Sequence, residues 1–162
     1  MTPFTLLHVA ISLVAILSGL VVLFGLLAGK QLNGWTVVFL TTTVATSVTG
    51  FFYFPFRGFT PAQGVGILSM VLLSLAIYSR SVRGLSGIWR GVYVITSVAA
   101  LYLNVFVLII QAFQKIPVLK ALAPTQSEPP FAVVQGFFLL LFIVLGSVAT
   151  IRFHPIPVYE SV

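Results

Sequence analysis

The chain has 162 residues, of which 59% are hydrophobic and only 6% are charged. A soluble domain carries about 25% charged residues, so this composition excludes a soluble globular protein. The mean hydropathy of +1.17 agrees and indicates a membrane protein. The sequence contains no cysteine, which excludes disulfides, thiolate catalysis and cysteine-based metal sites.

The net charge of +6 does not indicate nucleic-acid binding. The basic residues stand singly or in small groups at the ends of apolar segments. That placement is typical of membrane-flanking charges and differs from a basic nucleic-acid groove. We therefore expect no nucleic-acid partner.

Five apolar segments predict an all-α integral membrane bundle of five transmembrane helices in a single domain. A spanning helix needs about 20 mainly apolar residues, and lipid cannot satisfy an open backbone, so the spans must be helical. The predicted spans cover residues 4–28, 35–54, 61–79, 88–113 and 130–151. The first is expected to stay in the protein, because no Lys or Arg precedes it and it is longer than the core of a cleavable signal peptide.

The connections and their charges predict the topology. Most links are short and predict antiparallel neighbours, whereas the long link, residues 114–129, predicts a short interfacial helix beginning at Pro117. An odd number of spans places Arg57, Lys115 and Lys120 on one side of the membrane. The other side, which includes the tail 152–162, holds Lys30, Arg80, Arg83, Arg90 and Arg152. The excess of basic residues predicts a cytoplasmic C-terminus and an outer N-terminus.

The second span carries small and hydroxyl-bearing residues on one predicted face. Thr42, Thr46 and Thr49 recur at the spacing of neighbouring helical turns, and Gly50 follows them. This pattern favours close helix packing with hydroxyls bonded back to their own helix. A lining for a small polar solute is the alternative.

Further polar residues fall near the predicted outer ends of the spans. Asn104 shares a face with Gln111 on the fourth span, and it predicts either an interhelical hydrogen bond or a ligand contact. The topology brings His8, Tyr53 and Gln135 towards the same outer layer as Gln111. Two interpretations stay open: an outward-facing ligand pocket roofed by the long link, or helix ends that are merely more polar than their middles.

No catalytic or metal site is predicted. The two acidic residues, Glu128 and Glu160, lie in the long link and the tail, so the spans offer no carboxylate pair for acid–base chemistry. His8 and His154 fall at opposite membrane faces, so one chain cannot supply both axial ligands of a haem, although His8 alone remains available for such a role. A membrane enzyme is the third and least favoured function class, with His8 and Tyr53 as the one pairing that the sequence offers, and the cofactor is unknown, with none expected.

Three segments resemble those of small uncharacterised bacterial inner-membrane proteins: FPFRGFTP at 54–61, LYLNVF at 101–106 and LAPTQSEPPF at 122–131. The resemblance implies a multi-pass protein of a bacterial inner membrane and brings no activity, cofactor or catalytic residue with it.

The expected function is that of a non-enzymatic subunit or scaffold in a membrane assembly. Its expected partners are the lipid bilayer and other membrane subunits or further copies of the chain. The alternative is an oligomeric transporter, channel or binder for a small or lipophilic molecule, which would use the outer polar layer.

Overall fold

The structure is a computed structural model that describes residues 3–53 and 61–154. Within these ranges the chain forms helices and no strand, so the all-α prediction is confirmed. The helices are α1 Pro3–Leu27, α2 Asn33–Tyr53, α3 Pro61–Ser81, α4 Ile88–Lys115, α5 Pro117–Leu122 and α6 Pro129–Arg152.

The helix boundaries follow from proline and glycine. Pro117 and Pro129 occupy the first turns of α5 and α6, where the missing N–H breaks no hydrogen bond. After α1, Gly29 adopts a left-handed φ of 69°. There the N–H of Lys30 donates to the carbonyl of Gly25 at 2.8 Å, and the N–H of Gly29 donates to that of Leu26 at 3.1 Å. This Schellman arrangement satisfies the last carbonyls of the helix.

Four helices in the described part of the chain are long and apolar enough to cross a membrane, namely α1, α3, α4 and α6. These helices indicate a membrane protein. Helix α2, which covers most of the predicted span 35–54, is not among them, so the described residues give four such helices where the sequence analysis predicts five. Helix α2 carries seven threonine and serine side chains, namely Thr36, Thr41, Thr42, Thr43, Thr46, Ser47 and Thr49.

The helices assemble around α4. The first four pack as consecutive neighbours, and α1 also packs against α4, which closes a four-helix bundle. Helix α6 lies outside this bundle, against α1 and α4. The closest approach is at Gly19, where an added Cβ atom would lie 2.6 Å from Leu101 and 2.8 Å from Phe39. The absence of a side chain at Gly19 thus lets α1, α2 and α4 meet.

Contacts between successive helices define two ends of the bundle. At one end, here called the basic end, α1, α3 and α6 finish while α2 and α4 begin. Gly29 approaches the backbone of Arg152 there, and the Arg80 guanidinium donates to the Asn33 side chain at 2.9 Å. The residues that give this end its name are Lys30, Arg80, Arg83, Arg90 and Arg152. The opposite end, called the His8 end, carries Lys115, Lys120 and Glu128.

Candidate functional site

His8, Thr49 and Gly50 lie together at the His8 end. The Nδ1 atom of His8 lies 2.8 Å from the hydroxyl oxygen of Thr49, which itself donates to the carbonyl of Ala45 at 2.7 Å. A Cβ atom at Gly50 would be 3.7 Å from the His8 ring. The ring therefore lies along α2, beside a hydrogen-bonding hydroxyl and a residue without a side chain.

The other two threonines predicted for packing behave differently from Thr49. The Thr42 hydroxyl donates to the carbonyl of Val38 at 2.7 Å, within its own helix. The Thr46 hydroxyl is buried and has no hydrogen-bond partner in the described structure. Among these three threonines, only Thr49 forms a hydrogen bond to another helix within the described residues.

Asn104 connects α4 to α2 deeper in the bundle. Its side-chain amide donates to the Thr43 hydroxyl at 3.4 Å, and Thr43 is fully buried. The Thr43 hydroxyl in turn donates to the carbonyl of Phe39 at 2.7 Å. Asn104 is thus engaged in a contact between helices at this position.

Gln135 connects α6 to α4. Its amide nitrogen donates to the carbonyl of Phe106 at 3.2 Å, while its side-chain oxygen is buried and has no hydrogen-bond partner in the described structure. Gln111 is half-buried near the end of α4, and none of the described hydrogen bonds joins it to His8, Asn104 or Gln135. The predicted site residue Tyr53 has a side chain that lies outside the described residues.

The long link folds over the ends of α4 and α6. Its short helix α5 begins at Pro117, as the sequence predicts. Gln126, at a left-handed φ of 62°, donates its side-chain amide to the carbonyl of Ile110 at 3.1 Å. Phe131, just beyond the link, packs edge-on against Phe113 with ring centroids 5.3 Å apart. The link is therefore held against the bundle by specific contacts.

The carboxylate of Glu128 organises the turn that precedes α6. It accepts hydrogen bonds from the N–H and the hydroxyl of Thr125 at 3.1 Å and 2.9 Å, and from the N–H of Ser127 at 3.0 Å. Desolvation raises the pKa of Glu128, but the hydrogen bonds from Thr125, from the backbone of Glu128 itself and from Ser127 together outweigh it. The net result is a pKa below the ordinary value of 4.5.

Buried polar pairs that the sequence reasoning missed connect α2 to α3 and α4. The Ser47 hydroxyl donates to the Ser69 hydroxyl at 3.2 Å, and the hydroxyls of Thr36 and Tyr93 lie 3.4 Å apart. The buried residues of α2 recur at helical spacing, as Thr36, Phe39, Leu40, Thr43 and Ser47. This face is rotated by about one residue from the face predicted at Thr42, Thr46 and Thr49.

A shallow apolar groove of about 420 Å³ lies on the outer side of α2 and α3. It is lined by Phe51, Ile67, Met70, Val71, Ser74 and Leu75. The hydroxyl of Ser74 already donates to the carbonyl of Met70 at 2.8 Å. The groove therefore presents an almost wholly apolar surface.

No metal centre is formed by the described residues, because no group of three or more His, Asp or Glu side chains comes together there. His8 lies at the His8 end, and His154 follows α6 at the basic end. The two imidazoles are separated by the length of the bundle, which agrees with the sequence analysis. A single chain cannot place both on one haem.

Comparison of the chain with protein-family models, curated proteins and solved structures yields no match. The resemblance to small bacterial inner-membrane proteins therefore stays a prediction, and the site must be interpreted from its own geometry.

Proposed function

We propose that this protein is a non-enzymatic subunit or scaffold that assembles with another membrane polypeptide. The observation that carries the proposal is that polar side chains form hydrogen bonds between helices of this chain. His8, Asn104 and the amide nitrogen of Gln135 each bind another helix of the same chain. Such bonds stabilise and orient the helices, which leaves the apolar outer faces as the surfaces on which the protein can act.

The groove on α2 and α3 is the proposed contact face, and a transmembrane helix of the partner is its proposed occupant. Its rim is apolar, with Ile67 49% and Val71 52% exposed. Association of helices in lipid depends on van der Waals packing, so a ridge of a partner helix that fills a shallow apolar groove gains contacts that a fluid acyl chain makes less well.

We further propose that α2 crosses the membrane with its neighbours as a fifth span. It has 21 residues, enough for about 30 Å at 1.5 Å per residue, and it packs alongside α1 and α3. Its hydroxyls bond within the helix or to neighbouring helices, as those of Thr42 and Ser47 do, which lowers the cost of placing them in lipid.

The proposed orientation puts the basic end in the cytoplasm of a bacterial cell and the His8 end outside, because Lys and Arg are enriched on cytoplasmic flanks. The sequence contains no cysteine, so the single substitution Lys120→Cys can report on which side of the membrane the His8 end lies. A membrane-impermeant maleimide should label it from outside in intact cells. Labelling only after the cytoplasmic face is opened would reverse the orientation.

Single-cysteine crosslinking also tests the proposed function. Ile67→Cys and Val71→Cys lie in the groove, and Val144→Cys is a matched control because Val144 is 58% exposed on α6. In native membranes, the groove variants should form a discrete crosslinked product with a second polypeptide, and the control should not. Equal products at all three positions, or a lone chain at the groove positions, would refute the assignment.

A second candidate is a binder or transporter of a small molecule at the His8 end. The observation in its favour is the buried side-chain oxygen of Gln135, which has no hydrogen-bond partner in the described structure. Replacing Gln111 and Gln135 by Leu distinguishes the two functions. Loss of a co-purifying small molecule in native mass spectrometry would support the binder. Retained assembly with a partner, with no small molecule lost, would support the subunit.

A further inference from the structure

Two arginines at the basic end have buried nitrogen atoms without hydrogen-bond partners. The Nη1 atom of Arg80 and the Nε atom of Arg90 are both inaccessible to solvent, and neither donates to an acceptor in the described structure. A guanidinium group that is desolvated and incompletely bonded is costly. An acceptor from outside the described residues that reached these atoms, once the side chains covering them had moved, would remove that cost.

Arg80 lies in the last turn of α3 and Arg90 in the first turn of α4, two helices that pack together, and this part of the basic end is here called the basic opening. The Arg80 guanidinium donates its Nη2 hydrogen to Asn33 at 2.9 Å. Asn33 precedes Thr36 by three residues on α2, and Arg90 precedes Tyr93 by three on α4. Since Thr36 and Tyr93 are in contact and both helices begin at this end, Asn33 and Arg90 lie about 4.5 Å further out at similar depth.

The charge at this opening is not balanced by the described residues. Within the described ranges the one acidic residue is Glu128. It lies at the His8 end, where Thr125 and Ser127 donate hydrogen bonds to it. The basic end also carries Lys30, Arg83 and Arg152. The electrostatic potential there favours an anion, and arginine binds phosphate oxygens with two N–H groups at once.

Tryptophan places this opening at the depth of lipid headgroups. Trp35 and Trp89 lie in the first turns of α2 and α4, and tryptophan concentrates at the membrane–water boundary. Trp89 packs edge-on against Tyr78 with centroids 5.2 Å apart. The Arg83 guanidinium lies 5.1 Å from the Trp89 ring centre. The basic opening therefore faces the layer that contains lipid phosphates.

We infer that Arg80 and Arg90 bind the phosphate group of an anionic phospholipid at the basic end. Basic pockets between transmembrane helices are suited to such headgroups. The inference is independent of the proposed subunit function, because it concerns Arg80 and Arg90 at the basic end and does not require a protein partner in the groove of α2 and α3.

The test is thermal unfolding of the full chain in a neutral detergent during titration with phosphatidylglycerol. Phosphatidylcholine with the same acyl chains controls for lipid in general, and inorganic phosphate at equal ionic strength controls for a soluble anion. We expect phosphatidylglycerol alone to raise the Tm of the wild type. Equal stabilisation by phosphatidylcholine would overturn the inference, and stabilisation by inorganic phosphate would assign the site to a soluble anion instead.

Variants locate the site. Arg80→Gln and Arg90→Gln should raise the half-maximal lipid concentration about tenfold, as expected for loss of a charge-assisted hydrogen bond. Lys120→Gln removes the same charge at the His8 end and should have no effect. Arg90→Lys retains the charge but lacks Nε, so it should weaken binding too. Wild-type lipid affinity of Arg90→Lys, or an equal loss of affinity in Lys120→Gln, would mean that the lipid is attracted by positive charge in general. Either result would refute a specific site at Arg80 and Arg90.

Native mass spectrometry keeps the test decisive where a glutamine variant fails to fold. A phosphatidylglycerol adduct should persist on the wild type and on Lys120→Gln at collision energies that strip it from Arg90→Lys. An adduct of equal persistence on all three proteins would contradict the inference.

Discussion

The Nδ1 atom of His8 and the hydroxyl of Thr49 share a hydrogen bond of 2.8 Å that joins α1 to α2 near the His8 end of the bundle. The same hydroxyl lies 2.7 Å from the carbonyl of Ala45 in its own helix. When the hydroxyl hydrogen is directed at Ala45, Nδ1 of His8 is the donor to Thr49, so the direction of the bond between the helices follows the tautomer of the imidazole.

Thr49→Val should therefore lower the stability of the bundle. The substitution preserves the shape of the side chain but removes the hydroxyl that bonds to His8. Hydrogen bonds between helices in membrane proteins contribute about 0.6 kcal/mol on average. Thermal unfolding in mild detergent should show a lower Tm. Thr46→Val is the matched control, because the Thr46 hydroxyl is buried without a partner, and its removal should leave the Tm unchanged or raise it. An equal loss in both variants would contradict the interpretation.

Much of the fold follows from the sequence because apolar runs and helix-ending residues act locally. The predicted first span, 4–28, differs by one residue at each end from α1, since the proline near its start and Gly29 at its end mark both limits. The helix predicted to begin at Pro117 is also observed. The predicted span 88–113 ends where the apolar run ends, whereas α4 continues for two more residues to Lys115. A helix need not stop where its sequence becomes polar, so the apolar run marks the membrane segment and not the end of the helix.

The site is less predictable because it depends on how helices rotate about their axes. In α2 almost every turn contains a hydroxyl, so composition does not reveal which threonine faces the interior. Thr43 is fully buried and Thr42 is half-buried, a difference set by the contact of Phe39 with α1 near Gly19. The bond from Gln126 to Ile110 likewise requires the folded link and has no local sequence signal.

The bond between Asn104 and Thr43 should be energetically modest. Its 3.4 Å length is beyond the usual range for such bonds, and the Thr43 hydroxyl already donates to Phe39. A double-mutant cycle with Asn104→Leu and Thr43→Val should give a coupling energy of about 0.5 kcal/mol or less. A coupling several times larger would contradict this prediction, because it would mean that Asn104 and Thr43 interact strongly despite the long distance.

The turn before α6 should loosen in acid. Because hydrogen bonds hold the pKa of Glu128 below its ordinary value of 4.5, the folded turn favours the ionised carboxylate. Its contribution is present above the ordinary pKa and is lost as the pH falls through the lowered one. Amide hydrogen exchange at Thr125 and Ser127, corrected for intrinsic rates, should accelerate below that range. Glu128→Gln cannot titrate at this position and should show no such step, so a pH-dependent step that survives in this variant would belong to another group.

Alanine substitutions at two glycines should have opposite effects. At Gly19 the new methyl group would lie 2.6 Å from Leu101 and 2.8 Å from Phe39, so side chains of α2 and α4 must move, at a cost of about 1–3 kcal/mol. At Gly136 on α6 a Cβ atom meets no atom within 4 Å. Gly136→Ala should thus be neutral or stabilise by about 0.5 kcal/mol through reduced backbone freedom. Unfolding of both variants in the same detergent compares them directly. Because α1, α2 and α4 converge at Gly19 whereas α6 lies outside the bundle, a greater loss at Gly136 would contradict the proposed packing order.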